Sequence, residues 1–262
     1  MFGLSIIMLR ISNDTLAKNK DDKMRHFFSI IGGMGTEATE SYIHLLNERT
    51  PASNDQEYLN YILVNHATVP DRTDYILDNS KPSPLIPLME DIKQQSQLNP
   101  DFFVIPCNTA HFFFEELQNA TNVPILHMPK EAVKEIKIKY PNAKRIGLIA
   151  TNGTIFDGIY DHEVQEAGYE IVKPTEHIQE ETMELIYKYV KEKNEVNADL
   201  YHHILDEMQN ELDSDVVILG CTELSVAEER ASNHDFKVID AQSVLVDRSI
   251  EKALENRKKA ID

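Results

Sequence analysis

Cysteine is scarce in this sequence: two in 262 residues, too few for a disulfide framework in a chain this long. They stand far apart and not in CxxC spacing, which argues against a structural zinc site. Basic residues are also few, 26 Lys and Arg against 44 Asp and Glu, for a formal charge of −18. That balance favours solubility and argues against a phosphate-backbone partner. There is no Lys/Arg stripe interleaved with aromatics, and the locally basic KEAVKEIKIKYPNAKR reads as an amphipathic helix running into a strand. No stretch approaches the roughly 18 consecutive apolar residues of a membrane span. The apolar start, MFGLSIIMLR, lacks the basic n-region and small-residue cleavage site of a secretory signal. The glycine-rich IGGMGTEA has no Lys and no GxGxxG spacing, so nucleotide binding finds little support.

What the sequence does contain is an alternation. Short apolar runs, FFSII, YLNYILVN, DFFVI, VPILHM, RIGLIA, YEIVKP, VVILG and FKVID, read as strands. Helical stretches separate most of them, including one from about Thr36 to Glu48, two over roughly 177–193 and 197–211, and a closing one after Asp240. HATVPDRTDYILDNS reads as a loop, and TNGTIFDGIYDHEVQEAG as a turn into a helix ending near Gly168. Strands alternating with helices predict an α/β fold with mostly parallel sheets. The segments IIGGMGTEAT and LIATNGTIFD share a strand, a Gly-Thr loop and a helix, and their Gly-Thr pairs lie 118 residues apart. The two cysteines lie 114 apart. Two features at nearly one offset predict two similar halves. Residues 1–25, polar and charged around NDTLAKNKDDK, read as a separate, flexible leader.

Both cysteines end a strand-like run, Cys107 in PCNTAH and Cys221 in GCTEL. Open α/β sheets bind ligands at the carboxyl ends of their strands; if the two halves face each other, these loops line one cleft. A cysteine beside a helix N-terminus has a lowered pKa. Two such thiols across a cleft can take a proton from one face of a carbon and supply one to the other. The competing reading is that free cysteines are buried packing residues. Arg72 is a natural carboxylate clamp or, equally, a partner for Asp71 or Asp74. Asn108, Thr109, Thr151, Thr154 and Thr222 stand at loop-to-helix junctions, where such groups cap helices or bind ligands. Gly32, Gly33 and Gly35 permit a tight turn. Glu223 is a helix-start carboxylate or a site group.

Taken together, IGGMGTEAT, VPDRT, PCNTAH, ATNGT and GCTEL resemble the aspartate/glutamate racemase superfamily, and most closely its aspartate racemase branch. The resemblance covers about residues 27 to 258. It implies two Rossmann-like lobes, residues 26–127 with 240–262 and residues 128–239, with the active site between them. It also implies cofactor-independent racemisation, with Cys107 and Cys221 as the acid/base pair. By the same match Arg72 holds a substrate carboxylate, while Asn108, Thr109, Thr151 and Thr222 meet carboxylate or ammonium. Lys191 matches a lysine that precedes the second cysteine. Met34, Gly35 and Thr154 complete the implied substrate-binding set. Glu223 stands where the glutamate racemase branch has histidine, and Met34 where it has an aspartate–serine pair, so aspartate is the expected substrate. Thr36 replaces the usual proline. A homodimer in the cytoplasm, with no metal, no nucleic acid and no membrane partner, completes the expectation. A broad-specificity racemase, a maleate isomerase-like enzyme and a non-catalytic binding protein are the alternatives.

Overall fold

Apolar runs buried on both faces build two parallel sheets, each with helices on both sides. The computed structural model describes residues 24–259, so the expected leader lies outside the described residues except for its last two positions. The first sheet holds β1 (Phe27–Gly32), β2 (Asn60–Asn65) and β3 (Phe103–Val104) in the order β2-β1-β3. The second holds β4 (Arg145–Ala150), β5 (Glu170–Val172), β6 (Val216–Gly220) and β7 (Val238–Asp240) in the order β5-β4-β6-β7. β1 and β4 occupy the same place, each with its next strand on one side and the one after on the other. The repeated Gly-Thr segments therefore begin equivalent crossovers. Every residue of β1 and β6 is buried, whereas β2, at an edge, is only partly covered.

The helices that bear on the site are α1 (Thr36–Arg49), α2 (Arg72–Leu77), α3 (Leu85–Ser96), α4 (Phe114–Asn119), α5 (Met128–Lys139), α6 (Asn152–Asp157), α7 (Asp161–Glu166), α8 (Glu176–Met183), α9 (Ala198–Asp206), α10 (Thr222–Ala231) and α11 (Ala241–Lys259). Three expectations need correction. The stretch read as a loop after β2 contains α2, because the Asp71 side chain caps it by accepting from the Asp74 N–H at 3.0 Å. VPILHM forms only one isolated bridge, Ile125 with Phe103, since Pro124 has no N–H to give to a ladder. The helix expected up to Gly168 is two short helices, α6 and α7, parted by Gly158 at φ +71°. Gly168 itself, at φ +84°, closes α7 as expected.

One core joins the two sheets. Phe28 and Phe102 stack at 4.7 Å in the first, and Leu148 and Ile218 belong to the same buried cluster in the second. The terminal helix α11 ties them further. Its Arg248 bonds Glu135 at 2.7 Å, and its buried Ser249 accepts from Tyr42 of α1 at 2.7 Å. At the β1 exit Gly33 sits at φ +92°, and a Cβ there would lie 2.5 Å from the His66 carbonyl carbon. Strain and overlap then act together. Gly33→Ala is expected to lower stability by about 2–4 kcal/mol in urea unfolding, and an unchanged midpoint would mean that this turn is not fixed as described.

Candidate active site

Parallel strands send their carboxyl ends to one edge, and both cysteines lie there. Cys107 follows β3 by three residues, and its N–H bonds the Ile105 carbonyl at 2.8 Å. Cys221 follows β6 directly and holds the N-cap position of α10. Both are free thiols and only 5% exposed. They line one narrow, nearly closed cleft with about 10 Å³ of open space, far below the roughly 300–1,000 Å³ of open ligand sites.

Of the residues singled out in the sequence, the cleft brings together Met34, Arg72, Asn108, Thr109, Thr151, Lys191, Thr222 and Glu223 with the two cysteines. Gly35 lies outside it, in an adjoining open chamber of about 360 Å³ that shares Met34, Arg72, Lys191 and Glu223 with the cleft. Thr154 lies behind the wall. Its hydroxyl forms a ring with those of Thr109 and Thr151, the three edges 3.0, 3.1 and 3.1 Å long. Thr151 also caps α6, one of the two roles weighed for it, while lining the cleft.

Asp71, Thr73 and Tyr187 line the cleft as well, and sequence reasoning did not pick them. Asp71 and Thr73 flank Arg72 in VPDRT, which was a usable signal. Tyr187 had none, because a tyrosine in YKYVKEKN looks like any helical core residue. The chain reaches it through π-helical turns, Glu184–Lys191, that extend α8. Such turns often mark functional positions. His111, at the end of PCNTAH, was also passed over. Buried, it meets the Cys107 carbonyl through Nδ1 at 2.9 Å and accepts from the Met128 N–H at Nε2, at 3.1 Å. Burial lowers its pKa, so it stays a neutral brace for the Cys107 loop.

Two cations stand over the site. Arg72 is 8% exposed. It donates to the Met34 carbonyl at 3.0 Å and to the Pro70 carbonyl at 3.1 Å. Its Nε is buried with no partner among the described residues. Among those residues it pairs with neither Asp71 nor Asp74, the surface ion pair weighed for it. Burial works against its charge, but Cys107, Asp71 and Glu223 nearby outweigh that and raise its pKa. Lys191 lies 4.0 Å from Glu223 Oε1 and 4.1 Å from the centre of the Tyr187 ring. Burial opposes its charge too, and Glu223 and Cys221 more than offset it.

The thiol pKa departs from expectation. A helix N-terminus should lower it, yet the Cys221 pKa stands well above the ordinary thiol value. Burial is the main cause, and the Glu223 carboxylate is the second. The Cys221 thiol donates to Glu223 Oε2 at 2.9 Å, so it rests protonated. Removing the carboxylate removes part of the penalty on the thiolate. In Glu223→Gln the pH midpoint of Cys221 alkylation by iodoacetamide should therefore move to lower pH, read by peptide mass spectrometry. An unmoved midpoint would mean that Glu223 does not set this thiol.

Known proteins resemble this chain in sequence and fold. The family described as Asp/Glu/Hydantoin racemase matches residues 31–248. The broad specificity amino-acid racemase RacX of Bacillus subtilis is 27% identical over 227 residues, 84% of this chain and 95% of that protein. The glutamate racemase of Aquifex pyrophilus is 28% identical over 151 residues, 55% of this chain and 56% of that protein. Among solved structures, Picrophilus torridus aspartate racemase is similar with a TM-score of 0.74 at 28% identity, over 87% of this chain and 94% of that one.

Proposed function

The chain belongs to the Asp/Glu/Hydantoin racemase family, and from that premise we propose that it is a cofactor-independent racemase inverting the α-carbon of an acidic amino acid, aspartate first. The observation that carries this reading is one small cleft holding two buried thiols and two cations, the buried Arg72 and the half-buried Lys191. An amino dicarboxylic acid has two carboxylates for those cations and an ammonium for Glu223. The α-carboxylate lies against Arg72, and the side-chain carboxylate against Lys191.

The obstacle is a weakly acidic carbon-bound proton. Cys107, which faces the Arg72 cation, is the base that takes that proton. The electron pair of the broken C–H bond spreads into the α-carboxylate. Fixed donors in a dry site favour such developing charge. The Cys221 thiol then gives its proton to the opposite face of the carbon. The enzyme ends with Cys107 as thiol and Cys221 as thiolate, ready for the reverse reaction. Each positioned thiol contributes about 10²–10⁴-fold as base or acid.

Proton NMR with L-aspartate in deuterated water, followed by chiral chromatography, tests the reading. Loss of the α-proton signal should accompany growth of D-aspartate. Cys107→Ser and Cys221→Ser should each lower interconversion by at least about 10²-fold, while a single-cysteine variant still exchanges the α-proton of one enantiomer. Normal racemisation by either variant would refute the two-thiol mechanism.

A second reading, broad specificity, has one observation in its favour. The adjoining chamber is lined by Ala38, Ala67, Val190 and Val226, and these suit a longer, neutral side chain. Turnover of neutral L-amino acids at rates near that of aspartate would favour it over the acidic assignment. We also take the lobes to be residues 26–127 with 240–262 and residues 128–239, and the working form to be a cytoplasmic homodimer. Free, reduced thiols fit that location, and no helix among the described residues is long and apolar enough to cross a membrane.

A further inference from the structure

Asn108 and Tyr160 come from different halves of the chain and meet beside the cleft. Asn108 follows Cys107 and is 2% exposed, while Tyr160, between α6 and α7, is fully buried. The Tyr160 hydroxyl donates to Asn108 Oδ1. At the other end of the same carboxamide, Nδ2 is buried with no partner among the described residues, on the wall that also carries Arg72. A buried donor without a partner is costly, and a half-turn of the carboxamide would exchange its two ends. The phenol opposes that turn. Among the described residues its proton has one hydrogen-bond acceptor, Oδ1, and the turned carboxamide would offer it only another donor. The phenol also keeps its proton, because burial, with Asp240 and Cys221 nearby, puts its pKa well above the ordinary value.

We infer that Tyr160 is a positioning residue whose hydroxyl pins the Asn108 carboxamide, so that Nδ2 stays on the cleft side as a donor for a substrate carboxylate. The wall next to Cys107 then presents two buried donors without protein partners, Asn108 Nδ2 and Arg72 Nε. They complement a carboxylate, which only accepts. Without the hydroxyl the carboxamide is free to turn, and Oδ1 would repel the same carboxylate. The second half of the chain thus controls a binding group carried by the first. The pinning stands on the contact itself, and only its kinetic consequence rests on the racemase reading.

Tyr160→Phe tests this, since it keeps the ring and removes only the hydroxyl. The Asn108 carboxamide signals in nitrogen-15 NMR of the ligand-free protein should shift and exchange faster with water. With aspartate, KM should rise about 5–10-fold, as for one lost hydrogen bond, with kcat within about threefold of wild type. In an Asn108→Ala background the same substitution should add nothing to KM. Unchanged carboxamide signals, or a KM effect that multiplies in full in the double variant, would overturn the proposal. If Tyr160→Phe does not fold, the wild type still decides the matter. A pinned, buried carboxamide exchanges its protons with water slowly, and exchange at the rate of a free, exposed carboxamide would overturn the inference. The NMR readings need no substrate, so a protein that leaves aspartate unchanged would refute the racemase reading while the pinning is judged separately.

Discussion

The close approach of two helix starts governs the site. α2 and α6, one from each half of the chain, come together until a Cβ on Gly153 would lie 3.0 Å from Thr73 Cα and 3.1 Å from its hydroxyl. Only a residue without a side chain permits that approach without displacement. The hydroxyl ring of Thr109, Thr151 and Thr154 spans the same junction and satisfies its own donors. Closure here is what buries both thiols and Arg72. It also takes the site out of water, where every charge interaction inside it becomes stronger. A looser junction would leave the thiols hydrated and the guanidinium screened.

Buried charge needs compensation nearby, and the cleft is arranged accordingly. Lys191 stands 4.0 Å from Glu223, and Asp71 and Glu223 lie near Arg72 without pairing with it, so two positive and two negative groups line the cleft of a chain that carries −18. An anionic ligand gains nothing from the overall field, because exposed charges are screened beyond about 8–10 Å. It must be captured by groups already in place. Arg72 is held by two backbone carbonyls and Lys191 by a carboxylate and a ring. Neither cation has to be ordered by the ligand, which limits the entropy lost on binding.

How far the sequence revealed this depends on range. Strands buried on both faces are uninterrupted apolar runs, so β1, β4 and β6 could be read directly. The parallel arrangement then placed Cys107, Cys221, Arg72 and the threonines at one edge before any coordinates were known. α2 was hidden, because Pro70 and a length of six residues make it look like a loop. Tyr160 and Tyr187 were hidden for another reason: their roles depend on partners 52 and 116 residues away, and nothing local separates them from core aromatics. The Cys221 thiol shows the limit most clearly. Its helix-start position is local and argued for a lowered pKa. Its burial is a tertiary property, and with Glu223 it reverses the direction.

That reversal bears on the symmetry of the two halves. They share a strand order and place a cysteine at the same kind of strand end, yet the surroundings differ. Cys107 faces a guanidinium, whereas Cys221 donates to a carboxylate. A racemase has no net driving force, since enantiomers have equal free energy in water. Its kcat/KM must therefore be the same in both directions whatever the site looks like. An uneven pair of thiols cannot favour one enantiomer at equilibrium, because whatever it gains in binding one form it loses in converting it. The asymmetry can appear only in how that ratio divides between kcat and KM, and in which protonation state waits for substrate. Under the two-thiol reading, the unlike charges beside Cys107 and Cys221 make the two halves of the cycle chemically distinct although the strand orders match.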